Sequence, residues 1–200
     1  MDSLDDTGSD GDRALVTKVQ EGDRTAFDLL VRKYQHRILK FVTRYVHDSN
    51  LALDITQESF MRAYRSIRSF RGESAFYTWL YRIAINVAKN HLSVNARRLE
   101  ESLVESGDSN GVDGIEALRN METPEALLIS DEMRQTVVDA IQDLAPDLRT
   151  AILLREVEGF SYEAIAQAMG CPVGTVRSRI FRAREAINAR LEPLLSGTGG

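Results

Sequence analysis

The stretch from Leu99 to Asp131 limits the possible fold more than any other part of this chain. Around ESGDSNGVDGIE it consists of glycines, serines and acids with almost no large apolar residue. Such a segment buries too little surface to offset the entropy lost on ordering it. It therefore reads as a linker, taken here as residues 99–132. It divides the chain into a front block, 13–98, and a back block, 133–195, preceded by an acidic disordered tail at 1–12. Blocks of that size bury a workable, if marginal, core.

Charge divides along the same lines. The net charge is −5, but residues 1–12 hold five acids and no base, and residues 13–98 hold sixteen Lys/Arg against seven Asp/Glu. Residues 99–132 hold one base, Arg119, and ten acids, and residues 133–200 hold eight of each sign. An acidic chain as a whole argues against a nucleic-acid partner. A basic block beside an acidic one reverses that argument, because the local field is what a polyanion meets.

Both blocks read as helical. In AFDLLVRKYQHRILKFVTRYV, Phe27, Leu30, Val31, Tyr34, Ile38, Phe41, Val42 and Tyr45 recur at three- and four-residue steps. His47-Asp48-Ser49-Asn50 interrupts, and Ile55, Phe60, Ala63, Tyr64 and Ile67 resume the period. Arg71-Gly72-Glu73-Ser74 makes a short loop before a third run, Phe76 to Leu92. The back block shows runs at 132–144, 147–157, 161–169 and 174–192, and no alternating stretch supports a strand. The expected fold is all-α, two small helical domains on a flexible acidic tether.

In the back block, SYEAIAQAMGCPVGTVRSRIFRAR has a helix-capping Ser161 and the apolar pair Ile165 and Met169. Gly170-Cys171-Pro172 then makes a break. At ~100° per residue, Val176, Ile180, Ala183 and Ile187 share one face of the second helix. Arg177, Ser178 and Phe181 point the other way with Arg182 beside them, and 174–184 carries four arginines and no acid. A short helix, a glycine turn and a basic helix with an apolar back form a helix-turn-helix pattern. An arginine in the major groove bonds guanine through two N–H groups, and a phenyl ring meets a thymine methyl. An ordinary helical hairpin with a solvated arginine face accounts for the same spacing.

The front block carries FRGESAFYTWLYRIAINVAKN, with aromatics at 70, 76, 77, 79 and 81. Phe76, Leu80, Ile83 and Val87 share a core face, Tyr77 and Tyr81 lie off it, and Trp79 borders it. Arg82, Asn86 and Lys89 form a polar stripe. Rings interleaved with cations and Asn suit unstacked bases, the rings stacking and the cations meeting phosphates. The loop at Gly72 is placed to close over an extruded base. The plainer alternative is an aromatic core with a solvated basic face. Upstream, Asp54, Gln57, Glu58 and Met61 form a polar stripe that is either a docking face or simple surface.

Enzyme chemistry finds little support. Cys171, the single cysteine, sits in the helix-turn-helix break, whereas His36, His47 and His91 are scattered through the other block without ligand spacing. One cysteine excludes an internal disulfide and a multi-cysteine zinc site. Glu100-Glu101 lies in the linker, and no phosphate loop or dinucleotide motif is present. Neither a metal nor a cofactor is expected. MDSLDDTGSDGD has no basic or apolar leader region, and no apolar run reaches membrane-spanning length, so the expected compartment is the cytoplasm.

DITQESFMRAYRSIRSFRGESAFYTWLYRIAINVAKNHL followed by LREVEGFSYEAIAQAMGCPVGTVRSRIFRARE resembles the extracytoplasmic-function class of bacterial sigma factors, of the envelope-stress sigma-E type. The resemblance implies domain 2 in the front block and domain 4 in the back block. It assigns polymerase docking, on the clamp helices of the largest subunit, to Asp54, Gln57, Glu58 and Phe60. It assigns −10 recognition and melting to Phe70, Arg71, Phe76, Tyr77, Trp79, Asn86 and Lys89. Recognition of a GGAAC-type −35 element falls to Arg177, Ser178, Phe181 and Arg182, with phosphate contacts from Thr175 and Arg149. The acidic linker is implied to thread the polymerase channel. The implied partners are core RNA polymerase (clamp helices and flap), promoter DNA and an anti-sigma factor that is the cytosolic part of a membrane protein. No small-molecule substrate is implied. A stand-alone helix-turn-helix regulator would explain the back block equally well but leaves the aromatic, basic front block unexplained.

Overall fold

A computed structural model of the chain describes residues 7–46, 48–102 and 124–197. The central linker sequence (103–123), His47 and the first six residues lie outside the described residues. Among the described residues eight α-helices follow one another: α1 (Thr7–Gln20), α2 (Arg24–Val46), α3 (Ser49–Ser66), α4 (Phe76–Ser102), α5 (Pro124–Gln142), α6 (Pro146–Ile152), α7 (Tyr162–Met169) and α8 (Val173–Gly197). A 3-10 turn (Ile67–Ser69) follows α3, and a π-helical segment (Leu153–Val157) follows α6.

The front bundle forms as its periodicity predicts. Leu30, Tyr34, Ile38, Phe41, Val42 and Tyr45 of α2 are buried against Ile55 and Ala63 of α3 and Leu80, Ala84 and Val87 of α4. Asp48 caps α3, its carboxylate accepting from the N–H groups of Asn50 (2.8 Å) and Leu51 (3.0 Å).

Two boundaries differ from the sequence expectation. Residues 7–12 belong to α1 rather than to a disordered tail. Asp12 on that helix is buried, taking hydrogen bonds from Lys33 (2.6 Å) and from the Tyr34 hydroxyl. A carboxylate leaves water only when such partners replace it, and both partners lie on α2, out of view of local sequence. Helix also enters the expected linker 99–132 from both sides, because α4 runs on to Ser102 and α5 already starts at Pro124. The Arg-Arg-Leu-Glu and Glu-Ala-Leu-Leu strings there are good helix formers, and Pro suits a first helical position.

In the back half, α5, α6 and α7 all pack on α8. Ser161 caps α7 as expected, its hydroxyl accepting from Ala164 N–H at 3.1 Å. Gly170 ends that helix in the left-handed region (φ 63°), a conformation in which a side chain is disfavoured. Pro172 stands just ahead of α8, its carbonyl accepting from Thr175 and Val176. Val176, Ile180 and Ala183 are buried, as the helical wheel requires.

The two halves meet. α7 lies on α4, and the π-helical segment lies on α2. Phe160 inserts its ring edge-on against Tyr77 (5.1 Å) and Tyr81 (4.9 Å). Nothing in the linear pattern gave this placement.

Candidate nucleic-acid and polymerase interfaces

The expected −35 face is assembled on α8. Arg177, Ser178, Phe181 and Arg182 are all exposed on the side away from the buried Val176–Ile180–Ala183 face. Phe181 is 60% exposed although it is a phenyl ring. Arg177 lies over the Tyr162 ring at 5.6 Å, and Arg155 lies over the same ring at 4.8 Å. Both guanidinium groups therefore lie over the one Tyr162 ring, and the Arg177 residue stays exposed. Thr175 is half-buried in the first turn of α8. Arg149 is placed differently from the phosphate-contact expectation. Its guanidinium donates to the carbonyls of Tyr45 (2.9 Å), Leu144 (3.2 Å) and Gln142. In this arrangement its two terminal nitrogens tie α6 to the end of α5 and to α2.

The expected −10 residues separate into two groups. Phe70, Phe76 and Trp79 form one aromatic cluster, with ring centres 4.8 Å apart for Phe70–Trp79 and 5.8 Å for Phe76–Trp79. Phe76 is buried and serves as its floor, whereas Phe70 and Trp79 are half-buried at the edge. Arg71 and Asn86 are exposed, and Gly72 turns the loop at φ 70°. Tyr77 and Lys89 instead face the back half: Tyr77 touches Phe160, and Lys89 donates to Asp147 at 2.6 Å. Asp147 also receives Arg179 of α8. These two cations, Lys89 first, hold the Asp147 carboxyl below the usual carboxylate range. Tyr81, expected off the core, is fully buried. Its hydroxyl donates to Glu158 at 2.5 Å, and burial followed by that bond pushes it well above the usual phenol range.

Of the expected docking residues, Gln57 and Phe60 line a groove of about 820 Å³ between α2 and α3, and Asp54 and Glu58 do not. Phe27, Val31 and Leu39 form one wall, and Leu53, Met61 and Tyr64 the other. Leu53, Met61 and Tyr64 are exposed apolar side chains, an arrangement that marks an interaction site more often than chance. Gln57 is exposed at the rim and Phe60 is buried as part of the groove floor, whereas Asp54 is exposed on α3 outside the groove lining. Glu58 pairs with His91 (2.8 Å) and Arg62 (2.6 Å), which lower its pKa in that order, so it braces α3 against α4. The α2 wall was missed by sequence reasoning, which read Phe27 and Val31 only as part of a helical period.

The remaining chemistry-bearing residues are dispersed. Cys171 is half-buried with the Arg179 guanidinium 3.3 Å from Sγ, His36 borders the groove, and His91 sits on Glu58. Among the described residues no helix is long and apolar enough to cross a membrane.

Comparison with known proteins agrees with this geometry. The family description "Sigma-70 region 2" matches residues 30–98, and "Sigma-70, region 4" matches residues 134–187. RNA polymerase sigma-H factor of Pseudomonas aeruginosa is 58% identical over 184 residues, 92% of this chain and 95% of that protein. ECF RNA polymerase sigma-E factor of Escherichia coli is 52% identical over 184 residues, 92% of this chain and 96% of that one. Among solved structures, the sigma factor RpoE in complex with the anti-sigma factor NepR from Bartonella quintana is similar with a TM-score of 0.66. It is 25% identical and covers 83% of this chain and 96% of that chain. CnrH, solved with the cytosolic domain of CnrY, shares the fold with a TM-score of 0.65 at 22% identity, covering 92% and 98% of the two chains. An all-helical chain with a groove on one domain and a helix-turn-helix on the other, and with relatives of this identity over nearly its whole length, belongs to the extracytoplasmic-function sigma factors of the sigma-70 family.

Proposed function

We propose that this alternative sigma factor directs core RNA polymerase to promoters of a cell-envelope stress regulon through three separate faces. The observation that carries the reading is the outward set Arg177, Ser178, Phe181 and Arg182 on an α8 whose opposite face is buried. A helix so divided enters a major groove with its reading side chains foremost, and a bidentate arginine–guanine pair gives about 1–3 kcal/mol of discrimination. Arg177 and Arg182 read the −35 duplex, and Thr175 meets a phosphate. Phe70, Arg71, Trp79 and Asn86 take separated bases of the −10 strand, stacking on the rings. Phe76 supports them from below, and Tyr77 and Lys89 join once the back half moves off α4. The α2–α3 groove, with Gln57 at its rim and Phe60 as its floor, receives the polymerase clamp helices, and the exposed Asp54 of α3 meets them beside it.

No step needs a catalytic side chain. Few base contacts give weak, salt-dependent binding to free DNA, and polymerase supplies the second anchor that makes binding effective. The relatives named sigma-E support the stress regulon, and the solved sigma–anti-sigma pair supports a protein inhibitor that covers the same faces. An inhibitor that is the cytosolic part of a membrane protein would hold the chain at the inner membrane until released.

The test is run-off transcription with purified core polymerase, this chain, and a template carrying a GGAAC-type −35 element with its −10 partner. Arg177→Ala and Asn86→Ala variants run alongside. A transcript that requires the chain and falls with both variants is expected. Absence of a transcript together with tight duplex binding by the chain alone would overturn the reading in favour of a stand-alone regulator.

A further inference from the structure

The loop that follows the 3-10 turn is held from outside by one side chain. Gln20 is the last residue of α1 and is half-buried. Its amide nitrogen donates to the carbonyl of Ile67 at 2.8 Å and to that of Phe70 at 2.9 Å. These two acceptors bracket the 3-10 turn at the end of α3; the Ile67 carbonyl also accepts the Phe70 N–H at 3.1 Å, so Gln20 adds a second bond to the carbonyl that closes the turn and ties the Phe70 carbonyl to the same point. A primary amide has two N–H protons on one nitrogen, so it can satisfy both acceptors at once. A carboxylate of the same shape has none.

The anchor is firm. Immediately after Gln20 the chain turns through Gly22 at φ 108°, closed by Gly22 N–H to Val19 O (3.0 Å) and Asp23 N–H to Lys18 O (2.9 Å). On the other side, Phe70 is the residue at which the backbone leaves helical geometry (φ −71°, ψ 116°), and its ring lies 4.8 Å from Trp79. Fixing the carbonyls of Ile67 and Phe70 therefore fixes both the Phe70 ring and the direction in which Arg71 and Gly72 set out.

We propose that Gln20 is a positioning residue for capture of single-stranded DNA: it holds the 70–75 loop in its base-accepting geometry before DNA arrives. The inference rests on the reading of that loop as the −10 element. Gln20 touches no base itself. Its contribution is pre-organisation, the removal of loop freedom that binding would otherwise have to remove.

The test uses the full chain assembled with core polymerase. Two fluorescent probes are titrated, a single-stranded −10 non-template oligonucleotide and a GGAAC-type −35 duplex, with affinity for core measured separately. Gln20→Leu is expected to weaken the −10 probe about tenfold, the loss of two net hydrogen bonds, while the −35 probe and core affinity stay native. Gln20→Glu is expected to weaken it more, since carboxylate oxygens then face two carbonyl oxygens. The Gln20→Glu deficit, normalised to the native chain, is expected to shrink as pH falls from about 7.5 to about 5, where the carboxyl regains a proton to donate. The Gln20→Leu deficit is expected to stay constant. Phe70→Ala serves as the control for the loop itself. If Phe70→Ala loses the −10 probe while both Gln20 variants bind it natively, the inference fails alone. Equal losses on all three measurements without pH recovery give Gln20 a merely structural role and also overturn it. Native −10 binding by Phe70→Ala overturns the loop reading, and the inference with it.

Discussion

Glu158 closes the two halves of the molecule on each other, and its removal has a calculable effect. Its side chain is 6% exposed and accepts the Tyr81 hydroxyl at 2.5 Å, with Arg37 3.7 Å away. Tyr81 belongs to the front bundle and has no exposed surface. Because its hydroxyl is held well above the usual phenol range, it remains a donor throughout the accessible pH range. In Glu158→Ala that donor stays buried without this acceptor for as long as the halves remain together. An unsatisfied buried donor costs about 1–3 kcal/mol. Separation relieves the cost by admitting water. Arg37 is half exposed and keeps its hydration, so loss of its contact adds little. The closed arrangement should therefore lose about 1–3 kcal/mol against the open one, a shift of roughly 5- to 150-fold in their ratio.

The assay is energy transfer between dyes on exposed positions of the two halves, Arg13 on α1 and Ala186 on α8, in a Cys171→Ser background. Glu158→Ala should lower transfer markedly, and Glu158→Gln, which keeps an acceptor oxygen, should lower it less. The unfolding midpoint of the front bundle should not move. Unchanged transfer in Glu158→Ala would show that Phe160 and its ring contacts hold the halves alone. A fall in the front-bundle midpoint would show that the hydroxyl bond stabilises the bundle rather than the contact between halves. Either result refutes the reasoning.

The ion bridge from Lys89 through Asp147 to Arg179 predicts a pH dependence of the same contact. Asp147 has a lowered pKa in this arrangement. Its contribution is therefore fully present above the unfolded carboxylate value near ~4 and is lost as pH falls through the lower folded value. Energy transfer should drop in that acid window, and less so in Asp147→Asn. Asp12→Ala leaves the Tyr34 hydroxyl and Lys33 without their shared partner. It should cost about 2 kcal/mol, read as a lower thermal midpoint by several degrees. Ile180 and Phe181 are neighbours with opposite expectations, at 2% and 60% exposure. Ile180→Ala should destabilise the back half by about 2–5 kcal/mol, whereas Phe181→Ala should change stability by less than about 0.5 kcal/mol and still weaken the −35 duplex in the holoenzyme assay.

What was legible in this sequence was whatever repeats at helical spacing. The α2 period, the capping Ser161, the break at Gly170 and the divided α8 all follow from residues within one or two turns of each other, and the structure has them. What escaped depends on pairs far apart in the chain. Tyr81 looked like an exposed ring because its own helix places it off the Phe76–Leu80–Val87 face. It is buried because α2 supplies Phe41 on one side and the back half supplies Phe160 on the other. Asp12 looked like part of a solvated acidic tail because its partners are Lys33 and Tyr34. Arg149 was given a phosphate only by the family resemblance, and the carbonyls of Tyr45, Gln142 and Leu144 that take its guanidinium carry no side-chain signal at all. For Tyr81 and Asp12, an aromatic or polar group was assigned to solvent by a local rule, and a second helix then took the place of water. That substitution has a functional consequence. Lys89 and Tyr77 come from the basic, aromatic face that the proposed function gives to nucleic acid, and in this arrangement an acid and a ring of the chain's own back half meet them. On the proposed function, opening the two halves and presenting those residues to DNA are one step, and the carboxylates of Asp147 and Glu158 oppose it.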